Sequence, residues 1–350
     1  MKSRPGGERR SSKGWRLALT LPLLPALFVL DAKLPFAMAR QFLGFSLCWL
    51  MPIKLLLRCV DNYSLDWSRP WALSSFPRFI GSALLVISPK VNGPACSSRW
   101  PWSVLGHLLR DLCLVMACLQ TLLYLHPENP NPLHYPFHFF LFILTMTIPA
   151  HFATLLLRLD LRPSFNQPLR SQSISEFWGQ RWSLTASALL RELVYNPVLG
   201  FLQPDLLNSS TSASPSFGTT EPPANQSVAL WKRVTAVCST FFVSGLLHEL
   251  TWFCTVQGRN APSWEVFFFF FLLHGVLNSA EICLRRLHPQ LVSKTPAYLK
   301  LLLTQIFVHV SFGFLFFGPL VTRGHLQMEV LTEYTALRVK FQALVTQVNE

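Results

Sequence analysis

Long apolar runs alternate with short polar and basic segments along most of the chain. An α-helix needs about 20 predominantly apolar residues to cross the hydrocarbon core of a bilayer. Runs of this kind predict membrane-spanning helices at 15–31, 36–57, 107–125, 135–157, 234–256, 264–284 and 299–321. The pattern therefore predicts an all-α protein, a polytopic transmembrane helical bundle of about seven or eight spans.

Three segments between these runs have a different character. The run 76–89 contains too few apolar residues to span comfortably, so we expect it to be re-entrant or interfacial. Between 171 and 202, aromatic and aliphatic residues recur at helical spacing, which predicts an amphipathic helix at the membrane surface, capped by Ser175. Residues 203–229 are rich in Ser, Thr and Pro and are predicted to form a flexible loop.

The composition is typical of a membrane protein, since 51% of the residues are hydrophobic and 13% are charged, against about 25% charged in soluble domains. The formal net charge is +13, but Lys and Arg between apolar runs set membrane orientation, so we expect no nucleic-acid partner. The basic tail 1–14 is predicted to be cytosolic, and 15–350 to form one membrane domain. If 76–89 crosses the membrane, the segment 158–233 is lumenal. We favour the alternative in which 76–89 does not cross and 158–233, with its many Arg residues, is cytosolic. The sequons at Asn208 and Asn225 should then stay unmodified. We expect a multi-pass protein of the endoplasmic reticulum.

No metal site is expected from the sequence. The eight Cys include no CxxC pair, and most lie in apolar runs, as buried free thiols do. His134 and His138 form an HxxxH pair of the kind found in membrane-bound di-iron enzymes, but no HxxHH or HExxH motif accompanies it. Histidines in an interfacial loop are the simpler interpretation.

The stretch VSGLLHELTWF at 243–253 places an imidazole and a carboxylate inside an apolar run. Ionisable residues are costly there and commonly mark functional sites. Residues three and four apart share a helix face, which puts His248 on a polar lane with Ser244 and Trp252. A neutral imidazole accepts a proton near pH 7, so His248 is a candidate base. The alternative is a histidine that is hydrogen-bonded between helices and serves packing.

Two neighbours of His248 have separate predicted roles. Gly245 carries no side chain, so we expect another molecule to approach the imidazole closely there. Glu249 is rotated by about 100° from His248 around a helix. It is therefore expected to bond a neighbouring helix and to support the catalytic group without touching it.

Two further motifs contain candidate binding residues. FWGQRW at 177–182 includes Trp178, Arg181 and Trp182, which suit either interfacial anchoring or the binding of an anionic, nucleotide-bearing acyl donor. The run at 267–286 places His274, Asn278 and Glu281 on one helix face. That polar line either faces a cavity shared with His248 or pairs helices structurally.

Together, FWGQRW at 177–182, SGLLHEL at 244–250 and the HG…E run at 274–281 resemble the wax synthase-like branch of the membrane-bound O-acyltransferases. The resemblance covers 170–321 by motif and the N-terminal half by hydropathy alone. It implies an acyl-CoA donor, a lipophilic alcohol acceptor in the lipid bilayer, and no bound cofactor.

The resemblance also assigns roles to single residues. It implies that His248 is the catalytic base. A second polar position, usually His or Asn in the family, follows the RW pair and is Ser183 here. Gln180 stands where Arg is common, which leaves Arg181 for the donor phosphates.

Members of this branch acetylate terpenoid and meroterpenoid hydroxyls in fungal secondary metabolism, and plant relatives make wax esters. By this resemblance we expect acetylation of a terpenoid or meroterpenoid hydroxyl in secondary metabolite biosynthesis, with acetyl-CoA or another acyl-CoA as co-substrate. A long-chain-alcohol O-fatty-acyltransferase, that is, a wax ester synthase, shares every motif and is the first alternative. A non-enzymatic membrane transporter is the second, although no inverted repeat is visible in the sequence.

Overall fold

The computed structural model describes residues 14–34, 40, 43–59, 101–125, 134–157, 163–203, 228–255, 265–319 and 326–349. All regular elements in these ranges are helical. The principal α-helices are α1 (Leu23–Ala32), α2 (Met51–Cys59), α3 (Pro101–Tyr124), α4 (His134–Leu157), α5 (Leu184–Leu190), α6 (Asn196–Leu202), α7 (Leu230–Thr255), α8 (Glu265–Leu287), α9 (Pro289–Lys294), α10 (Ala297–Ser311) and α11 (Leu326–Asn349). The same ranges contain π-helical segments at Phe45–Leu50, Phe177–Arg181, Arg191–Tyr195 and Phe312–Phe317.

The membrane-spanning pattern is visible in these helices. Within the described residues, 5 helices are long and apolar enough to cross a membrane, at Gly14–Asp31, Trp102–Tyr124, Leu230–Phe253, Val266–Leu287 and Ala297–Phe317. Shorter apolar helices occur at Phe45–Leu57 and Pro136–Phe152. Each predicted run is thus helical in its described part, and the prediction of an all-α polytopic membrane protein is confirmed. The predictions for the run 76–89, and for most of the tail 1–14 and of the loop 203–229, concern residues outside the described ranges.

Helices α7 and α8 approach each other closely at two glycines. A Cβ on Gly275 would lie 2.8 Å from the Cβ of Phe241, and one on Gly245 would lie 3.3 Å from the Cβ of Phe271. Helices in a bilayer associate through close dispersion contacts, and small residues let their backbones meet. The space beside Gly245 is therefore filled by α8, which corrects the expectation that it admits another molecule.

The carboxylate of Glu249 joins the same two helices. Its Oε1 accepts the N–H of Phe267 at 2.6 Å and the N–H of Phe268 at 3.0 Å, in the first turn of α8. The first N–H groups of a helix have no intrahelical partner, and the helix dipole favours a negative charge there. Only 2% of Glu249 is exposed, so its side chain lies between the helices.

A second polar contact joins α3 and α4 at Asp111, which is 2% exposed. Its Oδ2 accepts the hydroxyl of Thr147 at 3.2 Å and lies 3.2 Å from Nε2 of His151. Its Oδ1 accepts from the guanidinium of Arg110 at 2.7 Å. A buried carboxylate requires such partners, because desolvation of an unpaired charge is expensive.

The segment 171–202 differs from the single surface helix that was predicted. It consists of an α-turn at Ile174–Glu176, a π-helical segment, α5, a second π-helical segment and α6. The cap of the first turn is Ser173 and not Ser175, because the hydroxyl of Ser173 accepts the N–H of Glu176 at 2.9 Å.

The first half of this segment is inserted into the core of the protein. Phe177 and Trp182 are buried, and their rings stack with centroids 5.1 Å apart. Trp182 also stacks on Phe139 of α4 at 5.1 Å and packs on Phe312 at 4.9 Å. Aromatic burial of this kind makes the segment a wall of the interior and not a surface element.

Candidate active site

A cavity of about 690 Å³ lies between the segment 173–195 and the helices α7 and α8. One face of α7 forms a long wall, with lining side chains at helical spacing from Arg233 to His248. At 1.5 Å rise per residue these two positions are about 22 Å apart along the helix. The cavity is therefore elongated, and its two ends can hold different chemical groups.

All the π-helical segments in the described ranges border this cavity. Their lining residues include Phe45 and Trp49 from the first, Trp178 from the second, Arg191 from the third and Phe316 from the fourth. A π-helical turn inserts an extra residue into an α-helix and changes the direction of the following side chains, and such turns are frequent at functional sites. Hydrophobic periodicity does not predict them, so the sequence carried no signal for this feature.

His248 lies at the end of the cavity that is farther from Arg233. Its Nδ1 is 2.7 Å from the carbonyl oxygen of Ser244, and because a carbonyl only accepts, Nδ1 carries the proton. The other ring nitrogen, Nε2, then has a free lone pair, and no hydrogen bond to it occurs among the described residues. Phe271 packs on the imidazole, with ring centroids 4.2 Å apart. The tautomer and orientation are those of a base that faces an apolar pocket.

Ser183 lines the cavity from a strained backbone position. Its φ of 38° and ψ of 63° lie in the left-handed region, which costs a non-glycine residue about 1–3 kcal/mol. The position is imposed from both sides, since Leu184 N–H donates to the carbonyl of Ser164 at 2.8 Å and Asn166 N–H donates to that of Arg181 at 2.8 Å. Such strain often accompanies a functional constraint, and here it presents a hydroxyl to the cavity.

Arg181 does not line the cavity, although it was predicted to bind the donor phosphates. Its guanidinium Nε lies 2.6 Å from Oε1 of Glu176 and its Nη1 lies 3.3 Å from the carbonyl of Asn166. The Glu176 carboxylate neutralises the positive charge that would otherwise attract a phosphate. Arg181 therefore holds the turn that presents Ser183.

Trp178 lines the cavity and His274 lies behind it. The indole N–H of Trp178 donates to Nδ1 of His274 at 3.0 Å, and Nε2 of His274 lies 3.0 Å from the hydroxyl of Ser311. An indole only donates, so Nδ1 accepts and Nε2 carries the proton. With both nitrogens engaged and none of its surface exposed, His274 orients Trp178 and is not placed to contact a substrate.

Asn278 and Glu281 attach the α-turn at Ile174–Glu176 to α8. The hydroxyl of Ser175 donates to Oδ1 of Asn278 at 2.5 Å, and the backbone N–H of Ser175 donates to Oε2 of Glu281 at 3.1 Å. Asn278 borders the cavity, whereas Glu281 does not. In the predicted polar line on α8, Asn278 therefore borders the cavity, whereas Glu281 makes a structural contact.

The lane predicted on α7 is also divided. Ser244 borders the cavity, as does Trp182 of the neighbouring segment, but Trp252 and Glu249 do not. Trp252 packs on Phe267 in the core, with ring centroids 5.5 Å apart. The cavity thus continues along α7 from His248 towards its N-terminus and not towards Trp252.

A group of arginines borders the other end of the cavity. Arg233 near the start of α7 and Arg285 and Arg286 at the end of α8 line it. The antiparallel helices bring them together, since Arg286 donates to the carbonyl of Val228 at 2.8 Å. Arg285 pairs with Glu281 at 2.5 Å, while Arg233 has no side-chain hydrogen bond or carboxylate partner within the described ranges. The sequence does not indicate this group, because its members lie at opposite ends of two separate apolar runs.

Metal ligands are not gathered anywhere in the part of the chain that the structure describes, where no group of three or more His, Cys, Asp or Glu could hold an ion. His138 instead uses Nδ1 on the carbonyl of His134 at 2.8 Å. The cavity thus offers a base, a hydroxyl and a cationic end, a set that fits proton transfer to and from an elongated anionic molecule.

Comparisons with known proteins agree with this chemistry. A profile of the family described as "Membrane bound O-acyl transferase family" matches residues 161–272, which contain Ser183 and His248. A putative long-chain-alcohol O-fatty-acyltransferase of Arabidopsis thaliana is 31% identical over 87% of this chain and 81% of its own length. The long-chain-alcohol O-fatty-acyltransferase of Simmondsia chinensis is 31% identical over 91% and 86%, respectively. An acyl-CoA–sterol O-acyltransferase of Arabidopsis thaliana is 28% identical over 92% and 87%. The chain is an acyltransferase and an integral membrane protein, and it belongs to the wax synthase-like branch of the membrane-bound O-acyltransferase family.

Proposed function

We propose that the protein transfers a fatty acyl group from acyl-CoA to the hydroxyl of a long-chain alcohol. The observation that carries the proposal is the imidazole of His248, which faces the aromatic end of a long cavity with Nδ1 fixed on the Ser244 carbonyl. The names of the relatives support a fatty acyl donor, and this choice replaces the terpenoid acetylation that the resemblance implied. We expect the reaction in the endoplasmic reticulum membrane.

In the proposed reaction, Nε2 of His248 removes the proton of the alcohol as its oxygen attacks the thioester carbonyl carbon. The carbonyl electron pair moves to oxygen and then returns as the C–S bond breaks. The leaving thiolate takes the proton from the imidazolium, which yields the ester and free CoA. Ser183 donates a hydrogen bond to one of the reacting oxygens.

The cationic end of the cavity orients the donor. Arg233, Arg285 and Arg286 supply guanidinium groups, which bind phosphate bidentately. Arg233 and His248 are separated by about 22 Å along α7, so the pantetheine arm extends along the cavity and brings the thioester to the imidazole. The glutamate partner of Arg285 leaves Arg233 as the main phosphate contact.

The apolar end accommodates the alkyl chains. Phe45, Trp49, Met146 and Phe316 line this end around His248. Burial of each CH₂ group contributes about 0.8 kcal/mol, so a long-chain alcohol gains affinity with every carbon it places there. The aromatic wall excludes water, which limits hydrolysis of the thioester.

The test is ester formation by protein purified in detergent with added phospholipid. Radiolabelled palmitoyl-CoA with hexadecanol is compared with palmitoyl-CoA and a sterol, and with acetyl-CoA and a terpenoid alcohol. We expect wax ester as the main product and a loss of about 10²–10⁴-fold in turnover for His248→Ala.

His309 provides a matched control, because its Nδ1 makes the same type of contact, 2.8 Å from the carbonyl of Gln305, and it lies outside the cavity wall. His309→Ala is expected to retain turnover. Unchanged turnover in His248→Ala would refute the role of the base. Preferred acetylation of the terpenoid alcohol, or esterification of the sterol alone, would refute the proposed substrates.

A further inference from the structure

Trp49 contains a hydrogen-bond donor that the reaction described so far does not use. Its side chain is completely buried, and its indole Nε1 has no acceptor in the described part of the chain. A buried donor without an acceptor costs about 1–3 kcal/mol, so an orphaned indole N–H in a native core requires an explanation. Trp49 also borders the cavity, where a substrate can supply the missing acceptor.

The position of Trp49 limits what that acceptor can be. Its ring lies 5.7 Å from the imidazole of His248, centroid to centroid, at an interplanar angle of 61°. Phe45 stacks on the indole at 5.1 Å and also lies 6.2 Å from the imidazole. Phe271 and Phe316 complete the apolar surround of the imidazole. The three phenyl rings carry no oxygen or nitrogen acceptor, and the indole N–H makes no hydrogen bond to the imidazole. A bound molecule in the cavity can therefore supply the acceptor.

An indole N–H only donates, so Trp49 cannot take the proton of the alcohol. The acceptor that gains negative charge during acyl transfer is the carbonyl oxygen of the thioester, and a donor aimed at that oxygen stabilises the transition state more than the ground state. We propose that the indole N–H of Trp49 donates a hydrogen bond to this oxygen as His248 deprotonates the alcohol. This inference rests on the proposed function and adds a catalytic residue from the N-terminal half of the chain.

The backbone around Trp49 supports its placement. Trp49 belongs to the π-helical segment Phe45–Leu50, which precedes α2. Neighbouring positions in this segment, including Leu50, are fully buried in the core, and Ile53 of α2 packs with them. The segment is therefore rigid enough to hold a donor in one direction, which is the condition for electrostatic stabilisation without reorganisation.

The experiment compares steady-state kinetics of wild type, Trp49→Phe and Trp252→Phe with palmitoyl-CoA and hexadecanol. Trp49→Phe keeps an aromatic ring and removes the donor, so kcat should fall by about 10²-fold while KM for palmitoyl-CoA changes little. Trp252 is the matched control, because its Nε1 is also buried without an acceptor but lies in the core outside the cavity. Trp252→Phe should retain kcat.

Replacement of Trp49 by 3-benzothienylalanine provides a second variant that is nearly isosteric and lacks only the N–H. It decides the matter if Trp49→Phe does not fold, and it should show the same loss of kcat. A kcat near the wild-type value in either folded variant, or a rise in KM alone, would overturn the proposal. An inactive wild-type protein would instead refute the proposed function, so the two failures are distinguishable.

Discussion

Gly275→Ala tests whether the close contact of α7 and α8 shapes the cavity. The added Cβ would lie 2.8 Å from the Cβ of Phe241, where ordinary contacts begin at 3.4 Å. Because the Cβ of Phe241 is fixed to its backbone, rotation of the side chain cannot relieve the clash. The helices must separate by roughly 0.6 Å at this point to restore a normal contact, the kind of overpacking that costs about 1–3 kcal/mol.

A part of this cost is offset, since Ala is favoured over Gly inside a helix by about 1 kcal/mol. Gly106 in α3 is the matched control, because a Cβ there meets nothing within 4 Å. Gly106→Ala should therefore raise the thermal unfolding temperature in detergent, and Gly275→Ala should lower it. Phe241 borders the cavity, so Gly275→Ala should also reduce ester formation by the folded protein.

The two glycine variants are measured side by side by differential scanning fluorimetry and by the palmitoyl-CoA assay. A Gly275→Ala protein that is as stable as Gly106→Ala would show that α7 and α8 separate without cost, which contradicts a tight contact at this point. Lower stability with full activity would separate the cost of packing at Gly275 from its effect on the cavity. The packing argument would then stand, and the link from Gly275 to the cavity would fail.

Three further predictions concern Glu249, Arg233 and Ser183. Glu249→Leu leaves two N–H groups of α8 without their acceptor and should lower the free energy of unfolding by about 1.5–3 kcal/mol per hydrogen bond. Glu249→Gln retains an acceptor and should keep most of the stability. A stable but inactive Glu249→Leu protein would instead indicate a catalytic carboxylate. Arg233→Gln should raise the KM for palmitoyl-CoA about tenfold, as expected for one charge-assisted phosphate contact, and leave the KM for the alcohol unchanged. The matched control is Arg338→Gln, because Arg338 lies on α11 outside the cavity and donates to Oε1 of Gln120 at 3.2 Å. An unaltered KM for palmitoyl-CoA in Arg233→Gln would remove Arg233 from the donor site. Ser183→Gly relieves the left-handed strain at φ 38° and should increase the free energy of unfolding by about 1 kcal/mol, while turnover falls. A turnover equal to that of the wild type would exclude the hydroxyl from catalysis.

Much of the fold was accessible from the sequence because the bilayer constrains it. Backbone polar groups in hydrocarbon must be paired within the chain, so a long apolar run has few alternatives to a helix. The same periodicity placed His248 and Ser244 on one face of α7, and both border the cavity. Helical spacing also predicted that Glu249 points to a neighbouring helix, and Glu249 contacts the first turn of α8.

The differences between the expected and observed surroundings of these residues have a common physical origin. Periodicity indicates which face of a helix is apolar or polar, but not which molecule covers that face. Gly245 was expected to face another molecule and is covered by α8. Arg181 carried the right charge for a phosphate, but the distance of 2.6 Å to Glu176 commits that charge within the protein. The segment 171–202 has a helical pattern, yet its π-helical turns and the left-handed Ser183 interrupt it and turn its aromatic rings into the core.

The class of the protein, its helices and the available chemical groups could be predicted without a structure, because hydrophobic length, local spacing and residue type depend only on neighbours along the chain. The tertiary structure decided which of those groups share a cavity. It brought Trp49 to His248 and Arg233 to Arg286, pairs that are far apart in the sequence. In the folded chain, His274 accepts a hydrogen bond from Trp178, and Glu249 accepts one from the first turn of α8. These contacts depend on the angles at which helices cross and on where their regular hydrogen-bond pattern is interrupted. That packing geometry is set by all the contacts of the fold together.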